Sequence, residues 1–115
     1  MRLIYPTIQK SLLTVTALTL FSLTANAETN GEKLVEEARC YACHQINDTL
    51  LGPSYLAISA RHGARKEIMI DVLANKIVKG GGGNWGLVPM VPNQWVSNEE
   101  AKIMAEWILG LSEQQ

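Results

Sequence analysis

The sequence predicts an all-α fold with three main helices, one short helical segment and long loops. Three stretches place apolar residues at helical spacing, and no stretch alternates apolar and polar residues as a β-strand would. The length of 115 residues suits one small domain. Residues 80–96 are rich in glycine and proline and separate the last two predicted helices as a long irregular loop.

The N-terminus has the features of a secretory signal peptide. A short basic region precedes an apolar stretch over residues 12–23, and the Ala-Asn-Ala tripeptide at 25–27 matches the pattern that signal peptidase accepts. We therefore expect residues 1–27 to be removed and residues 28–115 to form the exported domain. An uncleaved membrane anchor is the alternative, but the apolar stretch is shorter than the roughly 20 residues that span a bilayer.

The composition of the predicted domain limits its partners and its core. Residues 28–115 contain eight basic and eleven acidic side chains, a balance that argues against a nucleic-acid surface. A domain this small buries only a modest core and often depends on a disulfide, a metal or a cofactor. We expect a periplasmic monomer that is not inserted in the membrane once the signal peptide is removed.

The first helix is predicted from about residue 30 into Cys40, after a capping box at Thr29–Glu32. Residues 44–53 form a loop with turn signals at Asn47-Asp48 and Gly52-Pro53. A short helical segment over 54–60 follows this loop.

A second long helix is predicted over about 64–78 and ends at Gly80. Its expected apolar face consists of Ile68, Met69, Val72, Leu73 and Ile77. A second capping box at Ser97–Glu100 begins the last helix, which runs to about residue 110. The expected buried stripe of that helix consists of Ile103, Met104, Trp107, Ile108 and Leu111. Trp95, in the loop before it, is also expected in the core.

The two cysteines of the chain lie in the sequence Cys40-Tyr41-Ala42-Cys43-His44, which is the C-x-x-C-H signature of covalent haem attachment. The spacing lets two thiols form thioethers with the two vinyl groups on one edge of a porphyrin. The adjacent histidine can then face the iron. The motif therefore predicts one haem c, bound through Cys40 and Cys43, with His44 as an iron ligand.

Three other uses of these residues fit less well. A structural zinc site needs four ligands, and the chain offers only the two cysteines, His44 and His62, without the usual histidine spacing. A thioredoxin-like dithiol expects a βαβ setting, and no strand is predicted. A disulfide between residues three apart would close almost no loop and would not need the histidine.

A second axial ligand is expected because the haem of an electron carrier usually has two. Met69 and Met104 lie on predicted apolar helix faces, where a methionine normally fills the core. Met90 lies between Pro89 and Pro92, where no helix forms, and its soft sulfur suits iron. His62 remains an alternative ligand, since a bis-histidine haem is possible.

The order of these motifs resembles the small bacterial class I cytochromes c. C-x-x-C-H, Gly52-Pro53, a glycine run with Trp85 and then Pro89-Met90-Val91-Pro92-Asn93 follow one another before a C-terminal helix. The resemblance covers essentially all of residues 28–115. It implies a class I fold in which helices and loops wrap one haem. Val91 stands where the family commonly has proline, and the glycine run at 80–83 is longer than the family's.

The resemblance also implies roles for individual residues. Cys40 and Cys43 would bind the haem, His44 would be its proximal ligand and Met90 its distal ligand. The carbonyl of Pro53 would accept the second imidazole N–H of His44, Trp85 and Lys76 would contact haem propionates, and Asn93 would donate to the Met90 sulfur. The alternatives are that Pro53 ends a loop, Trp85 only packs against the haem or the core, Asn93 caps a turn and Lys76 is a solvated helix residue.

These features predict a single-electron carrier that docks transiently with an electron donor and an electron acceptor. Both axial positions of the iron are expected to be filled by protein, and neither a general base nor a nucleophile is apparent. A peroxidase-like or gas-binding protein would need an open sixth site. A subunit that passes electrons within a larger respiratory complex is a third possibility. The glycine run is not a phosphate loop, because no Gly-Lys-Ser/Thr follows it.

Overall fold

The computed structural model describes residues 29–115 and consists of four α-helices joined by turns and loops. The helices are α1 (Asn30–Glu37), α2 (Tyr55–His62), α3 (Lys66–Lys79) and α4 (Asn98–Gly110). Within this part of the chain no strand forms, and the only extended pairing is an isolated bridge between Gly81 and Met90. The all-α prediction is confirmed. The predicted signal peptide, residues 1–27, lies outside the described residues.

Three of the helices begin at a side-chain cap. Ser97 Oγ accepts the backbone N–H of Glu100 at 3.2 Å, and Glu100 Oε2 accepts the backbone N–H of Ser97 at 2.9 Å, which completes the predicted capping box of α4. At the start of α1, Thr29 Oγ1 accepts the backbone N–H of Glu32 at 3.4 Å, which is one of the two hydrogen bonds of the predicted capping box. Ser54 caps α2 in the same way. Short polar side chains thus fix where these helices start.

The helix ends differ from the predicted ends by a few residues. α1 stops at Glu37 because Arg39 adopts the left-handed conformation, with φ of 59°, and a tight turn over Cys40–Ala42 follows. A similar tight turn at Gly63–Arg65 precedes α3, which therefore begins at Lys66. α3 ends at Gly80, as predicted, where φ is 68° and a side chain would overlap the carbonyl oxygen of Met90.

α4 forms the centre of the fold, since α1, α2 and α3 all pack against it. The main buried cluster consists of Val35, Tyr55, Ala74, Ile77, Val96, Ala101, Met104, Ala105 and Ile108, and Met69 and Leu109 are buried outside it. Met104 and Met69 are both buried, which confirms the prediction that they fill the core. Ser59, buried on α2, donates from Oγ to the carbonyl of Leu109 at 2.8 Å and joins α2 to the end of α4.

Several apolar residues predicted to be buried are exposed. Ile68 and Val72 lie on the side of α3 that faces away from Ala74 and Ile77, and they are 71% and 51% exposed. Ile103 is 38% exposed at the edge of its stripe. Trp95 lies in a turn that is closed by a hydrogen bond from the Val96 N–H to the Asn93 carbonyl. Asn93 and Val96, at the two ends of the turn, are buried, whereas Trp95 between them is 68% exposed. The prediction that Trp95 lies in the core is wrong.

Within residues 29–115 none of the helices combines the length and the apolar character needed to cross a membrane.

Candidate functional site

The haem-attachment motif is folded into one tight turn after α1. The backbone N–H groups of Cys43 and His44 both donate to the carbonyl of Cys40, at 3.1 and 3.0 Å. The two half-buried cysteines are not joined by a disulfide. Burial raises the pKa of the Cys40 thiol, which therefore stays protonated at neutral pH. The turn keeps both thiols and the His44 imidazole within one short segment.

His44 is buried and held by the loop that follows it. Its Nδ1 lies 2.8 Å from the carbonyl oxygen of Pro53. Because a carbonyl only accepts, Nδ1 carries the proton and Nε2 keeps the lone pair that can bind a metal. The contact between His44 and the Pro53 carbonyl that the resemblance implied is therefore present. A side chain at Gly52 would overlap the imidazole ring, so only glycine lets the loop approach this closely.

Tyr55 supports the other face of the His44 ring and was missed from the sequence. Its ring stacks on the imidazole with centroids 5.3 Å apart and planes 17° apart. Trp107 and Tyr41 meet Tyr55 edge-on, at 5.7 and 5.8 Å. Burial, with a smaller effect from nearby Cys40, raises the pKa of Tyr55, so the phenol stays neutral. Its position two residues after Pro53 was the only available signal.

Met90 lies in the long loop between α3 and α4, residues 80–97, hereafter the methionine loop. The two sides of this loop meet at Gly81 and Met90, and this pair is called its neck. The backbone N–H and carbonyl of Met90 form two reciprocal hydrogen bonds with Gly81, both 2.9 Å long. The Met90 side chain is half-buried and packs against the core cluster. The neck therefore presents the thioether toward the interior of the protein rather than toward solvent.

Asn93 is buried and fixes the methionine loop to the end of α3. Its Nδ2 donates to the carbonyl of Ile77 at 2.9 Å and, more weakly, to that of Val91 at 3.4 Å, while its backbone N–H donates to the carbonyl of Val78. The resemblance implied donation to the Met90 sulfur. The Ile77 carbonyl is among the last of α3, which lack partners within the helix. The donation to the Met90 sulfur stays a prediction.

Trp85 lies in the methionine loop, whereas Lys76 lies on α3. Trp85 is 42% exposed and packs against Arg61 and His62 at the end of α2. Lys76, in the last turn of α3, is half-buried, and its Nζ lies beside Gly81 at the loop neck. Trp85 is thus not a core residue, and Lys76 is not fully solvated.

The donor set fits a covalently bound haem better than a zinc ion. Within residues 29–115 no group of three or more histidine, cysteine, aspartate or glutamate side chains is placed to hold a metal ion. The thiols of Cys40 and Cys43 are free to form thioethers, and His44 offers Nε2 in a fixed tautomer. The structure therefore supplies the chemistry that a haem c needs on its proximal side.

Comparisons with known proteins agree with this donor set. The family model of cytochrome c matches residues 28–112. Cytochrome c-551 of Azotobacter vinelandii is 47% identical over 79 residues, 69% of this chain and 94% of that protein. Cytochrome c-552 of Hydrogenobacter thermophilus is 43% identical over 81 residues, 70% of this chain and 81% of that protein.

The fold is also similar to that of a solved cytochrome structure. The crystal structure of Nitrosomonas europaea cytochrome c552 superposes with a TM-score of 0.65 at 42% identity and covers 69% of this chain and 96% of that one. Family model, relatives and structural neighbour all match the domain that carries Cys40, Cys43 and His44. The chain therefore belongs to the cytochrome c family as a small class I c-type cytochrome, and its cofactor is one covalently attached haem c.

Proposed function

We propose that this protein carries single electrons between redox proteins of the periplasm. Cys40 and Cys43 would bind the haem through thioethers, His44 would be the proximal ligand and Met90 the distal ligand. The observation that carries the proposal is the 2.8 Å hydrogen bond between His44 Nδ1 and the Pro53 carbonyl, which leaves Nε2 as the donor to iron. When bound, the haem supplies the one-electron couple.

The proximal side is built to hold one ligand orientation. The Pro53 carbonyl raises the donor strength of the His44 imidazole by accepting its N–H. Tyr55 stacks on the ring and limits its rotation, while Gly52 keeps the loop against it. A ligand that needs no rearrangement on oxidation or reduction suits electron transfer.

The distal side supports Met90 over His62 as the second ligand. Met90 is fixed by two backbone hydrogen bonds at the loop neck and packs toward the core. His62 instead packs against Trp85 at the end of α2. Methionine as the second ligand beside histidine raises the reduction potential of a haem. With both axial positions filled, the iron would offer no site for a substrate, and the protein would not be an enzyme.

The remaining haem contacts involve residues of the methionine loop and of the last turn of α3. We assign Trp85 and Lys76 to the haem propionates, because an indole N–H and an ammonium are both suitable donors to a carboxylate. Asn93 acts on the haem indirectly, since its hydrogen bonds hold the methionine loop on α3.

Two loops expose apolar side chains that could form a docking surface. Leu50 and Leu51 lie in the loop after the haem-attachment turn, and Leu87, Val88 and Val91 lie in the methionine loop. All are at least half exposed. Exposed apolar side chains on loops suit the small, short-lived interfaces of electron-transfer partners. The protein would dock there as a monomer.

Absorption spectra of the purified protein, with and without carbon monoxide, test the function. We expect a low-spin haem in both redox states and no binding of carbon monoxide by the reduced protein. Rapid binding of carbon monoxide would show an open sixth site and favour a sensor or an enzyme instead. Haem that is lost to acidified organic solvent would contradict the thioether attachment.

Cell fractionation and N-terminal sequencing test the location. We expect a periplasmic holoprotein that starts at Glu28. A haem protein that keeps residues 1–27 would instead be the membrane-anchored form.

A further inference from the structure

Trp85 connects two parts of the chain that are far apart in sequence. The guanidinium carbon of Arg61 lies 4.8 Å from the centre of the Trp85 ring, and Arg61 Nη1 donates to the carbonyl of Asn84 at 3.4 Å. The His62 ring meets Trp85 edge-on, with centroids 6.2 Å apart and planes at 76°. Two consecutive side chains at the end of α2 thus hold one aromatic ring of the methionine loop.

The methionine loop needs such an anchor. The Gly81–Met90 pair closes its neck, and three of the eight residues between them are glycines, which lose the most conformational freedom on folding. Leu87 and Val88 beyond Trp85 are exposed and contribute little burial. Fixing Trp85 divides the closed loop into two short spans and so reduces the freedom that opposes closure of the neck.

We propose that Arg61 and His62 are positioning residues that hold Trp85 and thereby keep Met90 seated on the haem iron. This inference rests on the proposed role of Met90 as the distal ligand. Neither Arg61 nor His62 needs to touch the haem to have this effect. Their effect passes through Trp85 and the loop backbone to the neck.

The chemistry of the two side chains suits this role. Arginine can stack its planar guanidinium on an indole while one of its N–H groups donates to a carbonyl, whereas lysine offers only a point charge. The Nδ1 atom of His62 is buried without a hydrogen-bond partner. A neutral imidazole with its proton on Nε2 leaves only a lone pair at that position, so the ring can pack there uncharged.

The rate at which cyanide binds to the oxidised holoprotein tests the proposal. Cyanide reaches the iron only when Met90 has left it, so the rate reports how often the loop opens. Removing one exposed cation–π contact should make cyanide binding about two- to five-fold faster in Arg61→Gln. Arg61→Lys should restore part of the wild-type rate.

Two control variants separate this effect from loss of charge and from loss of stability. Arg65→Gln removes the same charge from an exposed position three residues after His62 and should leave the cyanide rate unchanged. Ser112→Ala removes a hydroxyl that hydrogen-bonds Ser59 and should lower global stability without changing the rate. Equal acceleration in either control would overturn the proposal, because the effect would then not pass through Trp85.

A double-mutant cycle with Trp85→Leu tests the pathway directly. Arg61→Gln should have no further effect on cyanide binding once Trp85 is replaced. Additive effects of the two substitutions would overturn the proposal.

Hydrogen exchange of the Trp85 indole N–H separates this inference from the ligand assignment. The exchange should become faster in Arg61→Gln even if Met90→Ala shows that another residue binds the iron. If both the exchange and the cyanide rate of Arg61→Gln equal those of the wild type, Arg61 does not position the loop.

Discussion

Asn93 joins the methionine loop to α3 through a buried hydrogen bond of 2.9 Å from its Nδ2 to the carbonyl of Ile77. The bond lies three residues after Met90 and satisfies a carbonyl at the C-terminal end of a helix. It therefore couples the place where α3 ends to the place where the candidate distal ligand is presented.

We expect Asn93→Ala to destabilise the protein by about 1–3 kcal/mol, because the Ile77 carbonyl would be buried without a donor. The sulfur-to-iron charge-transfer band of the oxidised protein should weaken as well, since the loop would be held less firmly. Denaturant unfolding and absorption spectroscopy measure the two effects. Asn84→Ala, at an exposed position of the same loop, is the matched control and should change neither.

We expect Met90→Ala to abolish the charge-transfer band, lower the reduction potential and open the iron to cyanide and carbon monoxide. Met69→Leu and Met104→Leu should keep the band and cost about 1 kcal/mol of stability, as volume-conserving swaps of buried residues do. His62→Ala should also leave the spectrum unchanged. A native spectrum in Met90→Ala together with a changed one in His62→Ala would identify the haem as bis-histidine.

We expect Gly52→Ala to disturb the proximal side, because the added methyl group would overlap the His44 ring. The loop would have to move and lengthen the hydrogen bond from His44 Nδ1 to the Pro53 carbonyl, with a loss of about 1–3 kcal/mol. A lower yield of holoprotein and a shifted potential report this change. Pro53→Ala keeps the backbone carbonyl and should therefore affect the potential much less. An equal shift in both variants would show that proline, rather than the close approach of the loop, orients the imidazole.

Local patterns in the sequence were enough to predict the helices and the haem-attachment motif. The capping box at Ser97 and the C-x-x-C-H motif each depend on residues within a few positions of one another, and both lead directly to observed contacts. The resemblance supplied the contact between His44 and Pro53. The stacking of Tyr55 on His44 and of Arg61 on Trp85 escaped prediction, because each pairs residues that only the tertiary fold brings together.

Exposure was harder to predict than helicity. Ile68 and Val72 follow helical spacing on α3, yet the contact with α4 covers only the neighbouring face of that helix. Trp95 is apolar and follows Asn93 closely, but the turn that buries Asn93 directs Trp95 outward. Hydrophobicity gives the tendency of a residue to be buried, while the packing partner decides which face is covered.

The His62 imidazole makes the stability of the folded protein depend on pH. Burial first, and then the charges of Arg61 and Arg65, lower the pKa of His62 below its ordinary value. The folded state therefore disfavours the protonated ring more than the unfolded state does. The contribution of neutral His62 to stability is complete above its ordinary pKa of about 6.5 and is lost as the pH falls through the lower folded value.

We therefore expect wild-type stability to decrease more steeply than that of His62→Gln as the pH falls below about 6.5, because glutamine does not titrate. Denaturant unfolding of both holoproteins at a series of pH values measures the difference, and groups common to both proteins cancel in it. Parallel stability curves for the two proteins would show that His62 has the same pKa in the folded and unfolded states.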